Sequence, residues 1–450
     1  MYLIIFGASG DLAKRKLFPA LAKCDLKNVQ LIAFARTLYD KPFSEILKDF
    51  YSYEDESFCD TIKYIQGRCY TDLEILNPYL NEHTIIYLSL PPEIYLDTLK
   101  VLNTYQYKSI AVEKPFGADY KDFVNFKEYP TEKLYFIDHF LLKPLIVSWP
   151  ILINSNHKLK NILNNEHIKS IKVIFKEEIG GEGRRYFDTH GFLKDVVQNH
   201  LSEILAVIAT EQKTNSCNKH AENRVEFFKN MKIIEELSLF GQYNEYCHEM
   251  SLDSTTETFS LVTLEVNLDK WKYIPLIMIA GKGLNEKKTE VILEFKRNSF
   301  KDALDFINEY IKNKEVVYQD KEDVCQDNGD ICHIDEIKNI RLVCNLTPKS
   351  EVYLEIEMEN KLLKYKIFTN SEIQKHMVEK YGNYENHEIV FNSFINDNDF
   401  DVVRFHEADL LWKIYGCILK KDKPLFYYSK GSDIPNEVEQ MLEKIENKYN

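Results

Sequence analysis

His200 heads the residues able to do chemistry. It lies in Lys194-Asp195-Val196-Val197-Gln198-Asn199-His200-Leu201 and belongs to a run, Val196 to Ala209, in which Val197, Leu201, Ile204, Leu205 and Ile208 recur at helical spacing. That spacing predicts an amphipathic helix with one buried stripe. His200 falls at the edge of the stripe, where core gives way to cleft. An imidazole there can trade a proton near neutral pH. A histidine that merely packs at a helix edge is the plain alternative, and the rest of the chain has to decide between the two.

Three other places hold reactive or charged groups at the ends of apolar runs. Ser109-Ile-Ala-Val112 leads into Glu113-Lys114-Pro115-Phe116-Gly117. Proline restricts the residue before it to extended conformations, so Pro115 holds Lys114 at a strand end. Leu134-Tyr-Phe-Ile137 leads into Asp138-His139-Phe140, with Lys143 close behind. Tyr2-Leu-Ile-Ile-Phe6 leads into Gly7-Ala8-Ser9-Gly10-Asp11-Leu12-Ala13, followed by the helical pattern Leu17 to Ala22. In an open α/β sheet the ligand crevice lies outside the carboxyl ends of the strands.

The elements that position these groups follow from the pattern. Tyr2–Phe6 and Thr84–Leu90 are continuous apolar runs of the kind buried on both faces of a parallel sheet. Strand, glycine turn and helix form the first unit of a dinucleotide-binding fold. Gly7 permits the tight turn, and Gly10 lets the backbone approach a pyrophosphate at the helix N-terminus. The spacing is GxxGxxA, so an ordinary βα turn is the competing reading. The second strand, Val29 to Ala35, ends in Arg36 where an NAD enzyme carries an acidic residue for the ribose hydroxyl. An arginine suits a 2′-phosphate, which points to NADP; a surface arginine is the alternative. Pro91-Pro92 and a helix from Glu93 to Leu102, with Tyr95 in its first turn, follow the apolar run Thr84–Leu90.

The segment Ile168 to Lys176 alternates as a half-exposed strand, and a glycine-rich loop from Gly180 leads to the His200 helix. Beyond residue 255 the runs Thr258–Leu268, Tyr273–Ala280, Glu290–Lys296, Asn339–Leu346, Val352–Met358 and Leu362–Phe368 predict a large, mainly antiparallel sheet. The stretch Asp320 to Asp335 reads as an acidic surface loop, and Glu385 to Leu419 as helical. The fold class is therefore a Rossmann-type α/β domain, residues 1–140, followed by an α+β domain, residues 141–450, for substrate binding and oligomerisation.

Composition narrows the partners. The chain has 450 residues, 44% of them hydrophobic, enough for two packed domains. With 71 acidic and 57 basic residues the net charge is −14, which argues against nucleic acid or an anionic membrane as the main partner. Nine cysteines with no CxxC pair read as reduced thiols, without a disulfide framework or a metal site. Met1 runs straight into a strand, leaving no room for a targeting peptide, and no apolar run is long enough to span a bilayer. These features predict a cytoplasmic protein.

Taken together, the motifs resemble those of the glucose-6-phosphate dehydrogenase family, over nearly the whole chain. Gly7-Ala-Ser-Gly-Asp-Leu-Ala-Lys-Arg-Lys-Leu-Phe-Pro19 is similar to the family's coenzyme motif. Glu113-Lys-Pro-Phe-Gly117 is similar to a second family motif, and Ile137-Asp-His-Phe-Leu-Leu-Lys143 to the substrate motif, usually IDHYLGK. Asp195-Val-Val-Gln-Asn-His200 is similar to the segment carrying the catalytic histidine. Gly281-Lys-Gly-Leu-Asn-Glu-Lys-Lys288 resembles GKALNERK, and Glu407 to Trp412 resembles DELxxAW.

The resemblance implies oxidation of glucose 6-phosphate at C1 with hydride transfer to NADP, in a homodimer or homotetramer. It implies His200 as general base, Asp138 as the carboxylate that orients it, and Lys114 between cofactor and sugar. His139 and Lys143 are implied at the phosphate, and Glu177, Asp195, Lys282 and Lys287 elsewhere around the sugar. Gly7, Ala8, Ser9, Gly10, Asp11, Leu12, Arg36 and Tyr95, with Lys114, are implied around the cofactor. Departures from the family pattern carry expectations of their own. Phe140 stands where the family has a tyrosine, and losing its hydrogen bond to the phosphate is expected to raise KM. Leu142 replaces a glycine, Pro144 a glutamate and Lys287 an arginine. The arginines of a second, structural NADP site fall at Ile279, Ile292 and Asn345, leaving only Lys288 and Lys430, so that site is expected to be absent. Two other readings use the same residues: an NADP-binding relative acting on another sugar, and a non-catalytic relative.

Overall fold

After Tyr2 the first strand has no polar side chain to show to water, and burial is its outcome. Leu3, Ile4, Ile5 and Phe6 of β1 (Tyr2–Phe6) are all fully buried. The computed structural model describes residues 1–50, 52, 56–182, 185–211, 216–313, 334–419 and 423–449. They form two compact units.

The first unit comprises Met1–Leu142, Asn215–Glu222 and Asn383–Lys413. Its six-stranded sheet joins β1 to β2 (Gln30–Ala35), β3 (Lys63–Gln66), β4 (Thr84–Leu88), β5 (Ser109–Glu113) and β6 (Leu134–Ile137), in the order β3-β2-β1-β4-β5-β6. Every pairing is parallel. The order reverses beside β1, which sets a topological switch point between β1 and β4. The helical pattern after the glycine turn forms as Phe18–Ala22, preceded by a wider π-helical turn at Ala13–Leu17. The returning segment Asn383–Lys413 closes one edge. The Val403 amide donates to the Phe136 carbonyl at 3.1 Å, Phe405 stacks on Phe123, and the Trp412 indole donates to the Phe116 carbonyl at 3.2 Å.

The second unit comprises Lys143–Thr214, Asn223–Gly382 and Ile414–Asn450. Its sheet has ten strands: β7 (Ile168–Lys176), β8 (Met231–Ile233), β9 (Leu239–Tyr243), β10 (Phe259–Val266), β11 (Leu276–Gly281), β12 (Lys288–Phe295), β13 (Ile337–Thr347), β14 (Glu351–Met358), β15 (Leu362–Phe368) and β16 (Leu425–Tyr428). The order is β15-β14-β13-β12-β7-β11-β10-β9-β16, with β8 on β10, and only β7–β11 and β9–β16 are parallel. The large, mainly antiparallel sheet expected from the alternating runs is present. β11 starts later than the run from Tyr273, because Tyr273 adopts a left-handed φ of 70° and Pro275 has no amide to donate. The acidic loop from Asp320 falls outside the described residues, except for Ile334 and Asp335 in a short turn.

The His200 segment departs from the expected amphipathic helix. Leu193–Leu201 winds as a π-helix and Ser202–Ala209 continues as an α-helix. The expected stripe of Val197, Leu201, Ile204, Leu205 and Ile208 is buried, but so is every other residue from Ser202 to Ala209. The helix has no water-facing side, because its two polar residues find internal partners. The Ser202 hydroxyl shares a hydrogen bond with Tyr415 at 2.9 Å, and Glu203 pairs with Arg224 at 3.0 Å, both 1% exposed. Breaking a buried ion pair on one side leaves the other charge stranded, at a cost of about 3–5 kcal/mol. Urea unfolding of a Glu203→Leu variant should show a loss of that order, and the double variant Glu203→Leu/Arg224→Met should recover most of it.

Candidate active site

The cofactor-type residues gather at the carboxyl edge of the first sheet. The end of β1 is tied on both sides: the Gly7 amide donates to the Phe34 carbonyl at 3.0 Å, and the Ser89 amide donates to the Phe6 carbonyl at 3.1 Å. Gly7 sits at φ +75°, and a Cβ there would stand 2.0 Å from the Ser89 oxygen. No other residue type fits. Ala8 is buried, Ser9 and Leu12 are half-buried, and Gly10 and Asp11 are exposed. The Gly10 amide closes the turn on the Gly7 carbonyl at 2.8 Å, and the Lys14 amide continues onto the Gly10 carbonyl at 3.2 Å. The result is a tight backbone loop running into a helix start, the arrangement that suits a pyrophosphate.

Arg36 is exposed just past the end of β2, its guanidinium 5.2 Å from the centre of the Tyr70 ring. Burial pushes the Tyr70 hydroxyl above its ordinary pKa, while Arg36 pulls against that rise. Tyr39, whose hydroxyl hydrogen-bonds the Ser9 side chain, stands in the same aromatic group as Phe43 and Tyr64. Tyr39 and Tyr70 carried no motif signal. Only the folded loop places them beside Ser9 and Arg36.

Tyr95 is fully buried, and its hydroxyl donates to the Glu113 carbonyl at 2.9 Å. It fixes the strand end that carries Lys114. The Glu113 carboxylate accepts from the buried Tyr87 hydroxyl and meets His387 at 3.0 Å. Lys114 is half-buried, and the Lys114–Pro115 peptide is cis. At the end of β6, Asp138 is 1% exposed and accepts from the Phe140 amide at 2.8 Å. His139 is half-buried against the Phe140 ring, and Phe140 is buried. Lys114 and Asp138 thus stand at the carboxyl ends of adjacent strands, as expected from their sequence positions.

The other candidate residues belong to the second unit. Lys143 precedes the helix Pro144–Asn154, with Pro144 at the first helical position, where a missing amide costs nothing. Glu177 follows β7 and Lys282 follows β11, two strands that run in parallel. The Glu177 amide donates to the Gly281 carbonyl at 2.9 Å, and the Lys282 ammonium pairs with the Glu177 carboxylate. Lys282 is buried over the rings of Phe187 and Phe192, at 5.1 and 5.3 Å. Lys287 is exposed and Asp195 half-buried.

His200 is 4% exposed, on the π-helix. That helix is anchored by Glu257, which the sequence did not single out. The buried Glu257 carboxylate accepts the Leu193 amide at 3.1 Å and pairs with Lys423 at 3.3 Å. A carboxylate at a helix start is favoured by the exposed amides and the helix dipole. Gly191, at φ +72°, passes so close that a Cβ would meet the Glu257 oxygen at 2.6 Å. Glu257 immediately precedes Thr258, whose carbonyl accepts the Lys282 amide at 2.9 Å. The same end of the sheet therefore carries Glu177, Lys282 and the anchor of the His200 helix.

A doubly wound parallel sheet with a glycine turn at its switch point defines a dinucleotide-binding protein. The comparisons with known proteins extend that class to a family. Residues 4–147 match the model of the glucose-6-phosphate dehydrogenase NAD binding domain, and residues 151–450 match that of the C-terminal domain. The chain is 39% identical over 447 residues to glucose-6-phosphate 1-dehydrogenase of Encephalitozoon cuniculi, covering 99% of each. It is 26% identical over 499 residues to a form from Arabidopsis thaliana named cytoplasmic, covering 98% of this chain and 90% of that one. A solved glucose-6-phosphate dehydrogenase in complex with glucose 6-phosphate superposes with a TM-score of 0.80 at 26% identity, covering 99% of this chain and 97% of that one. The chain belongs to the glucose-6-phosphate dehydrogenase family.

The Gly7 turn generates a direct test. A left-handed conformation costs a residue with a side chain roughly 1–2 kcal/mol, before the clash with Ser89 is added. Gly7→Ala should weaken binding of the reduced nicotinamide dinucleotide by about tenfold or more, read by fluorescence titration. Unaltered affinity in a folded variant would show that the turn does not shape the nucleotide site.

Proposed function

We propose that this protein oxidises D-glucose 6-phosphate at C1 to 6-phospho-D-glucono-1,5-lactone with transfer of the hydride to NADP, the first step of the oxidative pentose phosphate pathway. What carries this reading is the full-length match to the E. cuniculi enzyme, supported by the motifs around Gly7, Lys114, Asp138 and His200. The residues present fit the dinucleotide. Gly7 leaves no room for a side chain at the turn, Gly10 is exposed without one, and Arg36 offers a planar cation to a 2′-phosphate. NADP, when bound, supplies the hydride acceptor.

The chain's residues do the rest. Hydride leaves C1 readily only as the C1 oxygen becomes carbonyl-like, so a base must take the hydroxyl proton. His200 takes it at an imidazole nitrogen. A buried imidazolium needs a carboxylate, and Asp138 has that role. Lys114 lies between nucleotide and sugar. His139 and Lys143 hold the phosphate. Phe140 lines the same place without a hydroxyl, so one hydrogen bond to that charge is missing. Glu177 and Asp195 accept from sugar hydroxyls, with Lys282 and Lys287 beside them. Gly7, Ala8, Ser9, Gly10, Asp11 and Leu12 form the loop under the nucleotide, and Tyr95 contributes by fixing the Lys114 strand end.

The reading extends to the cell. The protein works in the cytoplasm as a homodimer or homotetramer, without nucleic acid or membrane. Each chain binds a single NADP, without the structural second one. Ile279 and Ile292 offer no cation, Lys288 is engaged by Glu290 at 2.9 Å, and Lys430 by Glu249 at 2.5 Å.

Two measurements test this function. NADPH absorbance with purified protein, NADP and glucose 6-phosphate should show turnover that falls by about 10²–10⁴-fold in His200→Asn, with NADP still bound. Turnover of free glucose in place of the phosphate would mean another sugar; no turnover with NADP bound would mean a non-catalytic relative. Equilibrium dialysis should give a saturating stoichiometry of one NADP per chain, and two would refute the loss of the structural site.

A further inference from the structure

We infer that Cys217, His220 and Asp401 form a transition-metal site, with zinc its fitting occupant. All three side chains are buried, and one donor atom from each lies within 4.8 Å of the others. Donors around a tetrahedral zinc, with bonds of about 2.0–2.3 Å, stand roughly 3.3–3.8 Å apart. The cluster is thus near the required size before any ion closes it. The donor set, a thiol, an imidazole and a carboxylate, is of borderline softness and suits zinc over calcium or magnesium.

Cys217 and His220 stand three apart in the helix Cys217–Lys229, so they share one face. Asp401 arrives from 181 residues away, and its carboxylate meets the His220 Nδ1 at 3.2 Å. The two chain segments are held in register independently of any metal. The Cys217 amide donates to the Asp399 carboxylate at 3.1 Å, and the Arg404 guanidinium donates to the Asn218 side chain at 2.8 Å. On the other side, the Val403 amide is fixed to the Phe136 carbonyl of β6. Asp401 is therefore delivered by a pinned strand-like segment, and Cys217 and His220 by a pinned helix turn. A site of this kind clamps Asn215–Glu222 to the segment around Asp401 within the first unit; it has no part in the hydride chemistry. The absence of a CxxC pair hid it in the sequence, because its third donor is remote.

Cobalt(II) titration of the full chain, stripped with chelator, reads the site through its thiolate-to-cobalt charge-transfer band. The expected result is one cobalt per chain with that band, displaced by one equivalent of zinc. Cys217→Ser should abolish the band. Asp401→Asn, which keeps shape and folds most readily, should lower zinc affinity. Losing an outer-shell group costs a metal site about 10–100-fold, and losing a ligand should cost at least the upper figure. Zinc should also raise the thermal unfolding temperature of the wild type and not that of Asp401→Asn. A band that persists in Cys217→Ser, an affinity equal in wild type and Asp401→Asn, or no binding at all would overturn the assignment and leave a His–Asp pair beside a packed thiol. None of these readouts depends on turnover, so they stand apart from the test of the dehydrogenase reaction.

Discussion

The first unit depends on β1 being hydrogen-bonded on both sides in parallel register, Phe6 against Phe34 on one edge and against Leu88 on the other. Two parallel neighbours leave the chain after Phe6 a single exit, over the carboxyl edge. There the Ser89 carbonyl occupies the space a Cβ would need at residue 7. The glycine is a consequence of that crowding, and the path of the loop from Ser9 to the exposed Gly10 and Asp11 is a consequence of the glycine. Because β5 and β6 extend the same parallel sheet, their ends deliver Lys114 and Asp138 to the same edge. Tyr95 and the Glu113 carboxylate then determine how β5 ends.

The second unit solves a comparable problem with a charge. The helix that carries His200 starts at the fully buried Phe192 and Leu193, and a buried helix start leaves amides without partners. Glu257 answers the Leu193 amide and is itself balanced by Lys423. Glu257 is two residues from Phe259, where β10 begins beside the end of β11. The helix that carries His200 and the turn that carries Lys282 are consequently referenced to the same strand end. The π-helical winding of Leu193–Leu201 adds to this, since such winding is uncommon and recurs at functional sites.

How much of this was legible in the sequence varied with the range of the interaction. Leu134–Ile137, Ile168–Lys176 and Leu362–Phe368 read directly, because alternation and continuous apolar runs are local signals. β9 did not, since Gly241 interrupts it, and the reason for that glycine is the Phe426 ring of the partner strand β16. The burial of Ser202–Ala209 on all faces was also hidden, because Arg224 and Tyr415 neutralise its polar residues from elsewhere in the chain. Motif spacing singled out Gly7, Lys114, Asp138 and His200 as candidates. It missed Glu257, Tyr39 and Tyr70, whose roles exist only once distant segments meet.

Charge distribution shows why a protein of net charge −14 suits an anionic substrate. Salt screens the bulk surface over about 8 Å, so distant carboxylates matter little to a bound phosphate, while cations within a few ångströms matter strongly. The requirement is local, and so is its solution. Lys282 is buried as a pair with Glu177, which lowers the cost of removing its charge from water. Lys176 is likewise matched by Glu286 at 3.0 Å and by Asp433 at 2.5 Å, whose carboxyl is held below its ordinary pKa by the hydrogen bond from that lysine. Lys287 stays exposed on the following turn. A lysine there is a point charge on a flexible stem, so it can follow an anion without the fixed planar geometry an arginine demands. The buried pairs hold the turn between β11 and β12 in shape and leave Lys287 as an exposed cation on it.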